Sequence, residues 1–486
     1  MTIVVIDDDP TGSQTVHSCP LLLRWDVDSL RRGLRHPSPL LFVLANTRAL
    51  SADAAAERNR EIIDALQQAL EAEGIPESQL LLVSRGDSTL RGHGVLEPAV
   101  LAEELDARFG PVAATLHVPA FLPGGRTTVD GVHLLHGEPV HTTAFAKDGS
   151  FGFSTSALDA WLEEKSGGTI PAHAVLRLGR DLLDRALDEA PEGVEALEAW
   201  LLALQGNAPV VVDAERPQQL DALGAAVRRL QGRKRLLFRA AASLINGLVN
   251  AGEAPLGPQP LSAPALASLR RRDSTGVALP GLVLVGSHVP LADAQLAELL
   301  ADGRCAGLEL PVARIARVLE GGTPDLLLAD LEQEWGAHLQ TCLAQGRTPV
   351  LFTSRGELTF GEGASAQRRR LQFGLALAQL TARLVAAVAP QLGYLISKGG
   401  ITTGTLLAEG LELEAVQLEG QLLPGLSLVR PLVPGGLPWD GLPIVTFPGN
   451  LGDRNTLYEA WRCMEAFGEH DPDRSDIWGI QLSNGS

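Results

Sequence analysis

The chain is poor in cysteine and in positive charge. Its four cysteines, Cys19, Cys305, Cys342 and Cys463, are widely spaced with no CxxC pair. That spacing supports neither a zinc site nor a disulfide framework, and a reducing cytoplasm is the simplest compartment for it. Asp and Glu number 58 against 40 Lys and Arg, for a formal net charge of −18. Such a balance argues against nucleic acid or a membrane held by a general field, while leaving room for a local basic pocket. No run of about 18 apolar residues marks a membrane span. No signal peptide is expected ahead of a strand that begins at residue 2. GxxxxGK[ST], GxSxG, HExxH and GxGxxG are all absent, so a P-loop enzyme, a serine-elbow hydrolase, a zinc protease and a Rossmann dehydrogenase lack support.

What remains is the composition of a globular α/β protein, 45% hydrophobic and 20% charged. A length of 486 residues exceeds one ordinary core, so two domains are expected. The break falls at 251–280. Ala251 to Pro260 is rich in Ala, Gly and Pro, and Arg270-Arg271-Arg272 reads as a solvated run. The expected domains are 1–250 and 281–470, with a tail at 471–486.

The first stretch carries the most chemistry. Thr2 to Ile6 is a short, largely β-branched apolar run, hence a buried strand, and Asp7-Asp8-Asp9-Pro10-Thr11-Gly12 follows at once. Ligands of open α/β sheets bind beyond the carboxyl ends of the strands. Three adjacent carboxylates repel one another unless a cation or a polar substrate occupies the turn; a solvated acidic turn is the plain alternative. Further apolar strands end in loops of the same kind: Leu40 to Leu44 before Asn46 and Arg48, Leu80 to Val83 before Arg85, Asp87, Ser88 and Arg91, and Ala113 to Val118 before Gly124-Gly125-Arg126. Helices between continuous apolar strands imply a parallel sheet, whose loops share one edge. Arginine forks bind a carboxylate, and aspartates accept from sugar-like hydroxyls. One such arginine is most simply a surface ion pair; four loops at successive strand ends make a site. His133, His136 and His141 fit no metal pattern and read as surface-loop residues. Residues 146–153 read as a loop over the site.

Beyond the break a second α/β pattern begins. Leu282 to Val285 leads into Gly286-Ser287-His288, and Tyr394 to Ile396 into Ser397-Lys398-Gly399-Gly400-Ile401-Thr402-Thr403. Ile444 to Phe447 leads into Pro448-Gly449-Asn450. Small residues let backbone N–H groups approach phosphate oxygens, and Lys398 could add a charge. Three such loops at strand ends point to a nucleotide. A helix at 364–388 is expected to bury Leu375, Leu380 and Leu384.

These loops, DDDPTGSQTVH (7–17), ANTRAL (45–50), SRGDSTLRGH (84–93), GGR (124–126), GSHVP (286–290), SKGGITTG (397–404) and FPGNLG (447–452), resemble those of the four-carbon acid sugar kinases. The resemblance implies two mainly parallel α/β domains with the active site in the cleft between them. It implies ATP-dependent phosphorylation of a small sugar acid, with Mg²⁺ as the usual companion of ATP. It makes Asp8, Asp9, Asp87, Arg91 and Arg126 substrate-side residues, and Thr11, Asn46, Arg48, Arg85 and Ser88 in the same loops are expected to join them. Phosphoryl transfer would take Asp87 or Asp8 as general base, and Asp7, closer to the strand, is expected to be structural. The resemblance places Ser287, Lys398, Gly399, Gly400, Ile401, Thr402, Thr403, Gly449 and Asn450 on the nucleotide side. Many members have Lys where this chain has Arg85, and an acidic residue where it has Ile401. A binding protein without chemistry, and a metal-dependent lyase or phosphatase, are the alternatives. A homodimer is compatible with the family.

Overall fold

The computed structural model describes residues 1–9, 15–187, 191–250, 261–319, 324–355, 364–432 and 437–465. Thr11, the stretch Ala251 to Pro260 and the expected tail 471–486 lie outside the described residues. The chain forms two compact units. The first is Met1–Pro260 with Thr403–Gly435, the second Leu261–Thr402 with Gly436–Ser486.

The first unit is built on strands β1 (Thr2–Asp7), β2 (Cys19–Leu22), β3 (Leu40–Leu44), β4 (Leu80–Arg85) and β5 (Ala114–Val118). A small antiparallel sheet follows, of β6 (Arg126–Val129), β7 (Val132–Leu135) and β8 (Glu138–Pro139), and then β9 (Leu176–Leu178), β10 (Ala208–Val212) and β11 (Leu236–Ala240) return to the main sheet. From β2 onward the main sheet runs β2-β3-β1-β4-β11-β5-β10-β9, all parallel. β2 and β3 lie on one side of β1 and β4 on the other. The strand order therefore reverses at β1, which puts the acidic turn at the switch point where such sheets bind ligands.

Local sequence explains the helices that cover this sheet. In Ala52–Glu73, Ser51 caps the start by accepting from the Ala54 N–H, and Gly74 ends it in the left-handed region at φ 65°. Ile62, Ile63 and Leu66 of that helix and Leu101 and Leu105 of Leu96–Phe109 pack on Val4, Ile6, Leu41 and Val43 of the sheet. Each such side chain contributes about 1.5–3 kcal/mol by leaving water.

The second unit carries β12 (Gly281–Val285), β13 (Cys305–Leu310), β14 (Thr348–Thr353), β15 (Tyr394–Lys398) and, beyond β16 (Ala415–Leu423) and β17 (Leu426–Pro431), β18 (Ile444–Phe447). Its order is β13-β14-β12-β15-β18, all parallel. Here the order reverses at β12, between β14 and β15.

Two expectations are corrected, and the contacts divide the chain differently from the expected bounds. Residues 403–432 pack with the first unit: β16 and β17 form an antiparallel hairpin, and β16 pairs antiparallel with β2 of the first unit's sheet. The described part of the expected linker is structured. Ala263–Leu269 is a helix, and Arg270 is buried, donating to the Met464 carbonyl at 2.9 Å with its guanidinium over the Tyr394 ring. In the helix Ala364–Val388, Leu380 and Leu384 are buried but Leu375 is 44% exposed. Five residues displace it about 140° around the helix from Leu380. The stretch Gln372–Gln391 is long and apolar enough to cross a membrane, and half of it is buried within the fold, as a core helix is.

Candidate active site

The carboxylates of the acidic turn are answered by arginines. Asp7 ends β1, buried, with Arg85 Nη1 at 3.4 Å from Oδ1. Burial raises its pKa to about 7, with the charges of Asp8 and Asp9 adding and Arg85 opposing. Asp8 is 2% exposed. Its Oδ1 accepts from Arg48 Nη2 at 2.6 Å, and its Oδ2 lies 3.6 Å from Arg239 Nη2. Asp9 accepts from Arg48 Nη1 at 3.2 Å. The turn is held in place by backbone bonds as well: Ala45 and Asn46 donate to the Asp7 carbonyl and Arg48 to that of Asp8. Asn46 reaches this geometry in the left-handed region, at φ 51°, which an asparagine tolerates.

Asp87 follows β4. Burial acts to raise its pKa, but Arg48, Arg91 and the hydrogen bonds from Thr89 and Arg91 outweigh that and hold the carboxyl well below its ordinary range. Arg91 Nε donates to Asp87 Oδ2 at 2.8 Å, and its guanidinium stacks over Phe145, 5.0 Å from the ring centroid. Phe145 lies just before the expected covering loop and is not part of it. Arg126 lies within the field of Asp87, Arg91 and Arg85, and burial lowers its pKa. Its guanidinium stacks over Phe121, and its Nε is buried with no hydrogen-bond partner among the described residues. Ser88 is buried, and its carbonyl accepts from His133 Nε2 at 2.7 Å.

His133 corrects its surface reading. It is fully buried, its other ring nitrogen meets Thr128 Oγ1 at 3.0 Å, and burial pushes its pKa down to about 4. It is a neutral strut beneath the Asp87 loop.

Two residues of this region carry no motif and escape a sequence reading. Arg239 is a lone cation in the apolar strand β11, 7% exposed. It donates from Nη1 to Glu97 Oε2 at 2.5 Å and to Ser84 Oγ at 2.8 Å. His117 is the one ring nitrogen donor in β5. Strand register aligns Ser84, Arg239 and His117 across β4, β11 and β5. The only hint in the sequence is a charged or imidazole residue one position before the end of each apolar run.

In the second unit the loops after β12, β15 and β18 close on one another. Gly399 has φ 122°, and a Cβ there would stand 3.3 Å from the Ser287 N. A Cβ on Gly449 would stand 2.6 Å from Ser287 Oγ, and one on Gly286 would overlap the Thr402 hydroxyl. Arg355 Nη1 donates to the Ser287 carbonyl at 2.6 Å. Ile401 is 49% exposed and Asn450 is exposed, while Thr402 and Thr403 are buried. Lys398 lies inside β15, not in the loop, and is fully buried. Its Nζ donates to the Pro448 carbonyl at 2.9 Å and sits 3.9 Å from the Phe447 ring centroid. Burial, with Arg355 adding, lowers its pKa to about 7. It braces the turn before Gly449 and does not reach into the loop as a free charge.

The arginines bear on a metal too. Among the described residues no group of three His, Cys, Asp or Glu is placed to hold an ion. Asp7 Oδ1, both oxygens of Asp8 and Asp9 Oδ2 already face Arg48, Arg85 and Arg239, so the turn as folded does not fit the cation expected as one of its occupants.

Comparison with known proteins agrees with this division of labour. Residues 3–248 match a sugar-binding N-terminal domain and residues 282–457 a nucleotide-binding C-terminal domain. A D-threonate kinase of Salmonella typhimurium is 26% identical over 482 residues, covering 96% of this chain and 99% of that protein. One of Cupriavidus necator is 28% identical over 397 residues, covering 79% and 80%. Solved structures of proteins from Salmonella typhimurium LT2 and Haemophilus influenzae superpose with TM-scores of 0.63 and 0.59 at 18% and 15% identity. Each covers 95% of this chain, and they are matched over 99% and 100% of their own lengths. At that identity the likeness shows the fold alone, so the tRNA synthase designation of the first does not transfer.

Proposed function

The chain belongs to the four-carbon acid sugar kinase family, and we propose that it is an ATP-dependent kinase that phosphorylates a hydroxyl of a small, four-carbon sugar acid. The observation that carries the acid is Arg126. A guanidinium whose Nε is buried without a partner, beside Arg91 and Asp87, is costly unless an anion completes it. A substrate carboxylate is such an anion, and Arg91, whose Nε alone is spent on Asp87, offers the second fork.

Asp87 is the base of choice. It is ionised at neutral pH and sits between the two arginines, where it accepts from the attacking hydroxyl and orients it. Asp8 has both oxygens turned to Arg48 and Arg239, so its role is to hold the turn and not to take the proton. Phosphoryl transfer asks a protein mainly for positioning and charge neutralisation. The glycine loops of the second unit supply positioning, since backbone N–H groups reach phosphate oxygens only where a Cβ is missing. ATP supplies the phosphoryl group, and Gly399, Gly400, Ser287 and Gly449 are the residues to hold it. The D-threonate kinases among its relatives favour a four-carbon acid.

The test is ADP release coupled to a panel of four-carbon acids, with the product identified by the added mass of a phosphoryl group. Turnover of at least one acid well above background ATP hydrolysis is expected. ATP hydrolysis that no acid accelerates would sink the proposal.

A further inference from the structure

Beside Asp87, beyond the carboxyl ends of β4, β11 and β5, lies a cavity of about 30 Å³. Its walls differ in kind. Asp87, Arg91, Arg239 and His117 supply its polar lining, and Leu90, Leu158, Trp161 and Leu162 its apolar lining. A water-sized group needs roughly 10–15 Å³, so the space takes about two heavy atoms. His117 is 6% exposed and makes no hydrogen bond to any described residue. Arg239, its neighbour in register, is committed to Glu97 and Ser84. The imidazole is therefore a polar group of this lining that the fold leaves unspent, alongside the Arg91 fork and the Trp161 N–H, which is buried without a partner among the described residues. Burial, with the Arg239 charge adding, pushes its pKa down to about 3, so it is neutral. A neutral imidazole presents one donor and one acceptor, as a hydroxyl does.

We propose that this cavity is the subsite for one hydroxyl-bearing carbon of the sugar acid, and that His117 is the residue that reads its hydroxyl. The carbon lies against the leucines and the oxygen against the ring. The inference rests on the sugar-acid reading above and adds to it where a hydroxyl is selected and by what. A buried polar group left unpaired is what makes a site reject an analogue lacking the partner hydroxyl.

The experiment is calorimetric binding, without nucleotide, of 2,3,4-trihydroxybutanoate and of its 2-deoxy and 3-deoxy forms. In the unaltered chain one deoxy form is expected to bind at least about tenfold more weakly than the parent acid. In His117→Leu that preference collapses to within about threefold while any preference at the other position persists, and His117→Gln recovers part of it. A folded His117→Leu that keeps the full preference overturns the assignment, as does an unaltered chain that binds none of the three acids. If His117 variants do not fold, Leu158→Phe intrudes into the cavity from its apolar lining. Unchanged affinity for the trihydroxy acid in that variant also overturns it. Selective binding that depends on His117 but yields no phosphorylated product would defeat the kinase reading and leave the subsite standing.

Discussion

In both units the strand order reverses at the first strand, β1 in one and β12 in the other, and the loop that follows carries the expected chemistry. The loops differ in what they are made of. β1 ends in the first of three aspartates, locked against Arg48, Arg85 and Arg239. After β12 come Gly286 and Ser287, closed on by Gly399, Thr402 and Gly449 with scarcely a side chain between them. One site is defined by charges fixed in place and the other by atoms left out. A small polar acid offers hydroxyls and a carboxylate that only oriented side chains distinguish. A polyphosphate offers many equivalent oxygens, which backbone N–H groups can serve.

If the first unit works through placed charges, removing one should cost chemistry and leave the nucleotide alone. Asp87→Asn is expected to lower kcat by roughly 10²–10⁴-fold with little change in the KM for ATP. A loss confined to ATP affinity would place Asp87 in the wrong task. Arg126→Leu should raise the KM for the acid by about 10- to 100-fold, the worth of a charge-assisted bond, again sparing ATP. The converse holds across the comparison. Gly449→Val should raise the KM for ATP by about tenfold or more, since its Cβ already meets Ser287 Oγ, and leave acid binding in calorimetry unchanged. Equal effects on both ligands would erase the distinction between the units.

Among the described residues each unit also buries a group whose pKa is shifted to about 7, and the two pull stability in opposite directions. Asp7 is raised to about 7. Between its ordinary value near 4 and pH 7 the folded chain holds a proton the unfolded chain has lost, so its contribution falls as pH rises. Lys398 is lowered to about 7. Between pH 7 and its ordinary value near 10.5 the unfolded chain holds the extra proton, so its contribution rises with pH. Each slope is at most about 1.4 kcal/mol per pH unit. Denaturant midpoints should lose less on going from pH 5 to pH 7 in Asp7→Asn, and gain less from pH 7.5 to pH 9.5 in Lys398→Met. Parallel profiles for variant and parent would remove the group concerned.

The strands were legible because parallel, doubly covered strands are continuous apolar runs, and the loops because their residues are out of place anywhere else. Arg85, Asp87, Arg91 and Arg126 stand in such loops, and the fold gathers them. Arg239 and His117 were hidden by the same rule that exposed the strands: each is one polar residue in an apolar run, and only the register of three strands shows that they stand in line. Lys398 looked like a loop residue because Ser397 and the glycines beside it break the apolar pattern, yet its charge is spent inside on Pro448 and Phe447. The pairing of β16 with β2 was not legible, because partners nearly 400 residues apart leave no local trace.

That hairpin also has a consequence for how the chain is made. β2 has β3 on one flank and β16 on the other, so until residues near 415–418 have been synthesised the flank of Cys19–Leu22 has no partner. An open, apolar strand edge is a template for other chains. The first unit is thus the first to begin folding and among the last to be finished. A product that stops between the two domains would carry every substrate-side residue named above and still present a sticky edge. Expressing the sugar-binding half in soluble form calls for residues 403–432 to be joined back to it, not for a cut at the proline-rich stretch.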